Sequence, residues 1–352
     1  MAVWSEPASA VQSPTGRGAV TFSEAPLAHL ERIALGTAWA LHPQRICALP
    51  SLTRLWLTDL VSPQRGLPAP ERTVNAMGLC GMVDQFSPAV VRDAYRYGLF
   101  AFAHFGPLKW FSPSERCVLF FDEFHIGKQV RRLLRQGRYR VTFDRDFAGV
   151  IKACAGRRKG RWHVTWITPR IMQVFYALHQ TGDAHSFEVW DDAGELVGGG
   201  YGLALGGVFF TESQFSHASN TSKFGFAVLN WHLAHWGFHL NDGKWLMPTL
   251  SEMGFRSIPR RIFLDHIAEA AAVDARRGCW QVETDLKTIA AWNPTVSTGA
   301  LLTTPLRSPG RLMQEAPSLV PPHEAERDRD QASIVPSADL PRDEDLAIKR
   351  SR

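Results

Sequence analysis

Cysteine is sparse and scattered in this chain: Cys47, Cys80, Cys117, Cys154 and Cys279 include no C-x-x-C pair. An odd, dispersed set fits reduced thiols rather than a disulfide framework or a zinc site, so no metal is expected. No run of roughly eighteen apolar residues occurs, which excludes a transmembrane helix on length. Met1 to Arg17 is rich in Ser, Ala and Pro and has no continuous apolar core, so a secretory leader is not expected and the cytoplasm is the expected compartment. Aromatics stop at Trp292: from there to Arg352 there is no Phe, Tyr or Trp. A segment that cannot bury apolar area cannot offset the entropy of ordering itself, so this tail is expected to be mostly disordered.

What is present is concentrated elsewhere. The chain has 12 Trp and 21 Phe, most of them between Met77 and His266, so a core or groove there is rich in aromatics. Net charge is +5, but its distribution is lopsided. Between His125 and Arg161 there are twelve Lys or Arg against two Asp. Such clustering points to a polyanionic partner. Arg131, Arg132, Arg135 and Arg138, with Arg157, Arg158 and Lys159, are the candidate phosphate contacts.

Periodicity supplies the elements. Apolar residues return at helical spacing near Leu27–Leu41, in Pro88–Tyr97 after a capping Ser87, in Asp144–Ala155, in Pro169–Thr181 and in Thr221–Trp236 after Asn220. Strand patterns fall at Arg138–Phe143, Ser186–Trp190, Leu196–Leu203 and Val208–Ser213, with turns at Asp191–Gly194 and Gly206–Gly207. Helices alternating with a mostly antiparallel meander indicate an α/β fold. The expected organisation is an extension with partial structure (1–75), a small N-terminal α/β subdomain (76–136), a main domain (137–270) and a mostly disordered C-terminal extension (271–352).

Several motifs then fall in a definite order. They begin with Ala94-Tyr95-Arg96-Tyr97-Gly98-Leu99-Phe100, Trp110-Phe111-Ser112-Pro113 with Arg116, Phe124-His125, and Thr165-Trp166-Ile167. They continue through Ala184–Trp190, Gly198-Gly199-Gly200-Tyr201-Gly202, Phe210-Thr211-Glu212-Ser213-Gln214-Phe215-Ser216 and Asn220-Thr221-Ser222-Lys223. Asp242 and Ile258-Pro259-Arg260-Arg261 close the series. Across Ala94 to His266 the chain resembles the leucyl/phenylalanyl-tRNA–protein transferases, as a diverged member. The resemblance implies an N-acetyltransferase-like (GNAT) main domain and transfer of Leu, Phe or Met from aminoacyl-tRNA to proteins beginning with Arg or Lys, creating a degradation signal. It also implies a monomer with no membrane partner. No Q/R-x-x-G-x-G/A loop precedes a core helix, so backbone donors for a coenzyme A pyrophosphate are not evident and no cofactor is expected.

The resemblance also implies roles. Glu212 stands where the acceptor's cationic first side chain is read, a task that suits a carboxylate. Asp242 stands near the acceptor amine. Lys244 replaces the usual Gln; a general base there would have to lose its proton, which the neighbouring Asp242 opposes. If the strand is extended, Asp242 and Lys244 face one side and pair. Phe209, Phe226, Leu229 and Leu233 stand around the donor side chain, with Gly200 in place of the usual Met and Asn241 in place of Ile. Those two changes are read either as a larger, more polar pocket or as repacking with specificity unchanged. Trp110 and Trp166 are candidates for stacking on the terminal adenine. Two alternatives stay open: a diverged transferase with another donor or amine, and a silent tRNA- or N-degron-binding paralogue.

Overall fold

The computed structural model describes residues 20–42, 49–62, 65–103, 106–157, 165–271, 273 and 276–294. Three short strands, β1 (Leu79–Met82), β2 (Phe100–Phe102) and β3 (Lys109–Phe111), form a small antiparallel sheet in the order β1–β3–β2. Seven strands form the larger sheet: β4 (Glu115–Phe120), β5 (Arg140–Phe143), β6 (Ala184–Trp190), β7 (Leu196–Leu205), β8 (Val208–Ser216), β9 (Leu240–Lys244) and β10 (Arg256–Pro259). Their order is β10–β4–β9–β8–β7–β6–β5. All neighbours are antiparallel except β8 and β9, so the sheet is mixed and the fold is α/β.

The helices are α1 (Pro26–Ala40), α2 (Leu49–Val61), α3 (Pro88–Arg96), α4 (Lys128–Gln136), α5 (Phe147–Ala155), α6 (Pro169–Gln180), α7 (Thr221–His235), α8 (Pro248–Ser251), α9 (Arg260–Ala270) and α10 (Leu286–Ala291). Their starts follow local chemistry. Ser87 accepts from the Val90 amide and Thr168 from the Ile171 amide, each ahead of a proline that suits the first helical position. Asp146 accepts from the Gly149 amide to open α5. Gly137, in the left-handed region, ends α4 at no steric cost.

Strand alternation feeds two cores, one on each face of the sheet. Val118, Tyr201, Phe210 and Phe215 join Tyr95 of α3, Val150 of α5, Phe175 of α6 and Phe263 of α9. Leu119, Phe209 and Ala204 join Leu134 of α4 and Phe226, Leu229 and Leu233 of α7. Each such side chain contributes about 1.5–3 kcal/mol of burial. Residues 76–136, expected as one small unit, serve both sheets: the small sheet uses residues 79–111, while β4 is an inner strand of the large one. In the N-terminal extension, α1 and α2 leave Leu27, Leu30, Trp56 and Leu60 exposed.

After residue 271 the described chain is anchored at intervals up to Trp292. Trp280, Ile289, Ala290 and Trp292 are buried in the α7-side core, and Asp285 caps α10 by accepting from the amides of Lys287 and Thr288. Residues 295–352, the bulk of the tail expected to be disordered, lie outside the described residues. Among the described residues no helix is long and apolar enough to cross a membrane.

Candidate functional site

The parallel pair β8–β9 is short. Val208, Phe209 and Phe210 lie beside Leu240, Asn241 and Asp242, and there the strands part. A β-bulge sits on each strand at the split. Along β8 the partners of Tyr201 and Gly202 are Ser213 and Thr211, so Glu212 is the extra residue. Along β9 the partners of Cys117 and Val118 are Lys244 and Asp242, so Gly243 is the extra residue. Bulges interrupt pairing and re-aim side chains, and they recur beside active sites.

Four ionisable side chains converge at this split. Arg116, from the start of β4, donates Nε to Asp242 Oδ1 at 2.7 Å and Nη2 to Oδ2 at 2.9 Å, the bidentate fork that suits a carboxylate. Its guanidinium lies between the rings of Phe100 and Phe263, at 4.6 and 4.5 Å, and donates to the Gly98 carbonyl. Lys244 donates Nζ to Glu212 Oε1 at 2.7 Å and to the Thr211 carbonyl at 2.7 Å, and lies 3.5 Å from Asp242 Oδ2. The ammonium thus serves a backbone carbonyl beside the split as well as a carboxylate. The Tyr95 hydroxyl donates to the same Glu212 Oε1 at 2.7 Å.

Burial makes this cluster electrostatically demanding. Side-chain exposures are 1% for Arg116, 0% for Asp242, 8% for Lys244 and 2% for Glu212. Two cations and two anions balance, so the buried charges offset one another. Burial by itself raises the Asp242 carboxyl; Arg116 and then Lys244 outweigh it and hold the group below its usual range. The Tyr95 phenol is pushed well up by burial and by the Glu212 charge, so it stays a donor. Lys244 has φ 64, a left-handed conformation costly for a side chain with a Cβ. Its amide donates to Asp242 Oδ1 at 3.1 Å, closing a turn over the bulge.

Expected and observed partners differ in detail. Asp242 and Lys244 do share one side, but the shorter contact of Lys244 is with Glu212. Asp242, expected beside the acceptor amine, is sealed and its oxygens are taken by Arg116 and the Lys244 amide. In this arrangement it positions its neighbours. Tyr95, Arg116 and Thr211 stood in the motifs without a role. A signal existed for Arg116, a charge at the head of the apolar run Cys117–Phe121, which demands a buried counter-ion.

The expected donor pocket lies on the other face of the sheet. Phe209, Phe226, Leu229 and Leu233 are core side chains there, separated from Glu212 by the split that Lys244 spans. Gly200 opens no space: a Cβ added to it would lie 2.7 Å from the Phe187 ring and 2.8 Å from Gln214 Cγ. The enlarged-pocket reading is corrected at that position, because neighbours already fill the volume. Asn241 is fully served, accepting from Thr211 Oγ1 at 2.7 Å and donating to Asn230 Oδ1 at 2.9 Å, while Asn230 donates to the Phe226 carbonyl. Its polar group therefore belongs to an internal network.

Set beside known proteins, residues 118–268 match the family model described as leucyl/phenylalanyl-tRNA protein transferase. A leucyl/phenylalanyl-tRNA–protein transferase of Azotobacter vinelandii is 47% identical over 215 residues, 60% of this chain and 93% of that protein. The chain belongs to the leucyl/phenylalanyl-tRNA–protein transferase family. A Pseudomonas syringae pv. syringae member is 52% identical over 179 residues, covering 50% of this chain and 76% of that one. Among solved structures, L-PGS from Bacillus licheniformis aligns at 14% identity with a TM-score of 0.26 over 46% of this chain and 50% of that one, too distant to bear on fold or function.

A member of this aminoacyltransferase family meets an RNA substrate, and the aromatic and basic residues expected to hold it are placed as follows. Trp110 is corrected: at 1% exposure beside Phe86 it offers no face to a base. Trp166 is half-buried and packs on Phe102, which in turn meets Trp245, the residue after Lys244. Phe102 and Trp245 went unassigned in the sequence because neither sits in a distinctive motif. Together the three make a partly open aromatic wall next to the charged cluster.

The basic residues divide. Arg131 is corrected: its Nη1 donates to the carbonyls of Ala290 and Trp292 at 2.7 and 2.9 Å and its Nε to Ile126, so it tethers the C-terminal segment. Lys128, Arg132 and Arg135 are exposed at spacings of four and three, forming one stripe along α4, and Arg138 is exposed just beyond. Arg157 pairs with Glu31 of α1. Arg158 and Lys159 lie outside the described residues.

Proposed function

We propose that this transferase moves Leu or Phe from aminoacyl-tRNA to the α-amine of proteins that begin with Arg or Lys, marking them for degradation. The single observation that carries this reading is the charged cluster at the β8–β9 split, with a carboxylate, Glu212, engaged by Tyr95 and Lys244 through one oxygen. The split strands over a mixed sheet support a GNAT-like main domain, with the small β1–β3 sheet as the core of a separate N-terminal subdomain. A cytoplasmic monomer fits a reaction that draws on charged tRNA.

In this reading the ester carbonyl sits at the split, its donor side chain toward Phe209 and the inner face of α7. The acceptor approaches from the Tyr95 side. Its amine nitrogen bonds to the carbonyl carbon, the bond to the tRNA 3′ oxygen breaks, and a proton passes from the amine to that oxygen or to water. The ester is already activated, so orientation can supply much of the rate. Glu212 receives the acceptor's cationic side chain, Asp242 and Arg116 fix the floor of the cleft, and the wall of Phe102, Trp166 and Trp245 receives the 3′-terminal base. Lys244, whose Nζ is committed to the Thr211 carbonyl and to Glu212 Oε1, takes no part as a base.

Transfer of labelled leucine to peptides with different first residues tests this. Arg- and Lys-starting peptides should be labelled and Ala-starting ones not. Glu212→Gln should lower kcat/KM for the cationic peptides about ten- to a hundred-fold, the loss of one charge-assisted hydrogen bond of about 1.5–3 kcal/mol. If Glu212→Gln labels all peptides as the wild type does, the assignment of Glu212 falls.

For the RNA, simultaneous reversal of Lys128, Arg132 and Arg135 to Glu should weaken tRNA binding at least ten-fold at about 0.1 M salt. It should also reduce the slope of log K against log salt by about 2 to 3. Equal slopes for wild type and variant, measured by titration at several salt concentrations, would take α4 out of the RNA site.

A further inference from the structure

We infer that Lys244 narrows acceptor choice within the proposed class, favouring a first-residue lysine over an arginine. The inference rests on the reading of Glu212 as the group that receives the acceptor's side chain. A guanidinium gains its advantage over an ammonium by closing a fork on both oxygens of a carboxylate, whereas an ammonium needs only one. Here the two oxygens of Glu212 are not equivalent. Oε1 already accepts from the Tyr95 hydroxyl and from Lys244 Nζ, both at 2.7 Å, which occupies its two lone-pair directions. Oε2 accepts no hydrogen bond among the described residues.

Neither occupant of Oε1 is free to step aside. Lys244 is held at the same time by the Thr211 carbonyl and by Asp242, on a left-handed backbone next to the Gly243 bulge. Its ammonium also lies 5.3 Å from the centre of the Tyr95 ring and 5.8 Å from that of Phe210. Tyr95 is 1% exposed and packs edge-on against Phe210. An incoming guanidinium therefore finds one oxygen and cannot complete its fork, while an ammonium loses nothing. The protein's own lysine supplies the cation for one half of the carboxylate and leaves the other half to the substrate.

The test compares four acceptor peptides that differ only in the first residue: lysine, arginine, and their uncharged counterparts norleucine and citrulline. With the wild-type protein, kcat/KM for the lysine peptide should exceed that for the arginine peptide about ten-fold, the worth of one charge-assisted bond. In Lys244→Met and in Tyr95→Phe/Lys244→Met, where Oε1 is progressively released, the ratio should fall to one or invert. Thermal unfolding of each variant checks that it is folded, and the wild-type ratio needs no variant at all. A wild type that uses arginine as well as lysine overturns the inference, as does a ratio unmoved in a folded Lys244→Met. Norleucine and citrulline peptides used as well as the cationic pair would instead overturn the underlying reading of Glu212.

Discussion

Replacing Arg116 by methionine is expected to lower the unfolding free energy by about 3–5 kcal/mol and to abolish aminoacyl transfer. Removing one partner of a buried ion pair leaves the other charge without compensation, and that penalty dominates. Asp242 would retain Lys244 at 3.5 Å and the Lys244 amide, but would lose both arms of the fork. Urea denaturation of the two proteins measures the difference. The double variant Arg116→Met/Asp242→Leu should recover most of the stability, because a packed apolar pair often replaces a buried ion pair without loss. It should not recover transfer, since the floor of the cleft and the turn at Lys244 both depend on the carboxylate. A carboxyl whose folded pKa lies below its unfolded value stabilises the protein above that unfolded value, here about 3.8. That contribution is lost as pH falls through the folded value. Acid unfolding should therefore be less steep in the double variant than in the wild type. A single Arg116→Met variant as stable as the wild type would show that the pair contributes nothing to the fold.

Trp280→Ala is expected to cost a similar amount, about 3–5 kcal/mol, by leaving a cavity beneath the C-terminal segment. The indole is 1% exposed and lies flat on the His185 imidazole, with ring centroids 3.6 Å apart. Phe209, Trp236 and Phe238 surround it. Its amide donates to Asp144 Oδ2 at 2.8 Å, the same oxygen that holds His185 Nδ1, and its Nε1 donates to the Arg276 carbonyl. Asp144 is thus the shared anchor of the sheet and of the segment that follows α9. A shift of a few tenths of a kcal/mol in urea denaturation would show that this segment merely rests on the core.

How much of this was legible follows from what each pattern depends on. The helices α3, α5, α6 and α7 and the strands β5 to β8 were readable because period and caps are local: Ser87, Thr168 and Asp146 announce their helices, and glycines mark the turns. The inner strands β4 and β9 were not. Cys117–Phe120 is buried on both faces and shows no alternation, and Leu240–Lys244 reads as polar because Asn241, Asp242 and Lys244 are buried by partners far along the chain. The same long-range pairing hid Arg116 and Tyr95, whose meaning depends on Asp242 and Glu212, both more than a hundred residues away. Glu212, Asp242 and Lys244 were found by resemblance, but their mutual pairing was only half visible. Trp280 escaped because a lone aromatic in a polar stretch looks like surface until the surface it covers is known.

The bulge at Glu212 has a consequence for insertions and deletions. Phe210 and Phe215 are five residues apart on one strand, and in an even ladder an odd separation puts side chains on opposite faces. Both nevertheless lie in the same core, with Val208 before them. The supernumerary residue reverses the parity of the strand halfway along. Loss of any one residue between Thr211 and Gln214 would leave Phe210 and Phe215 four apart on an even ladder, still in one core, but would abolish the bulge that aims the carboxylate, even if glutamate were kept. The geometry of the site is held by the number of residues in β8 as much as by their identity, so this stretch tolerates substitution more readily than a change of length.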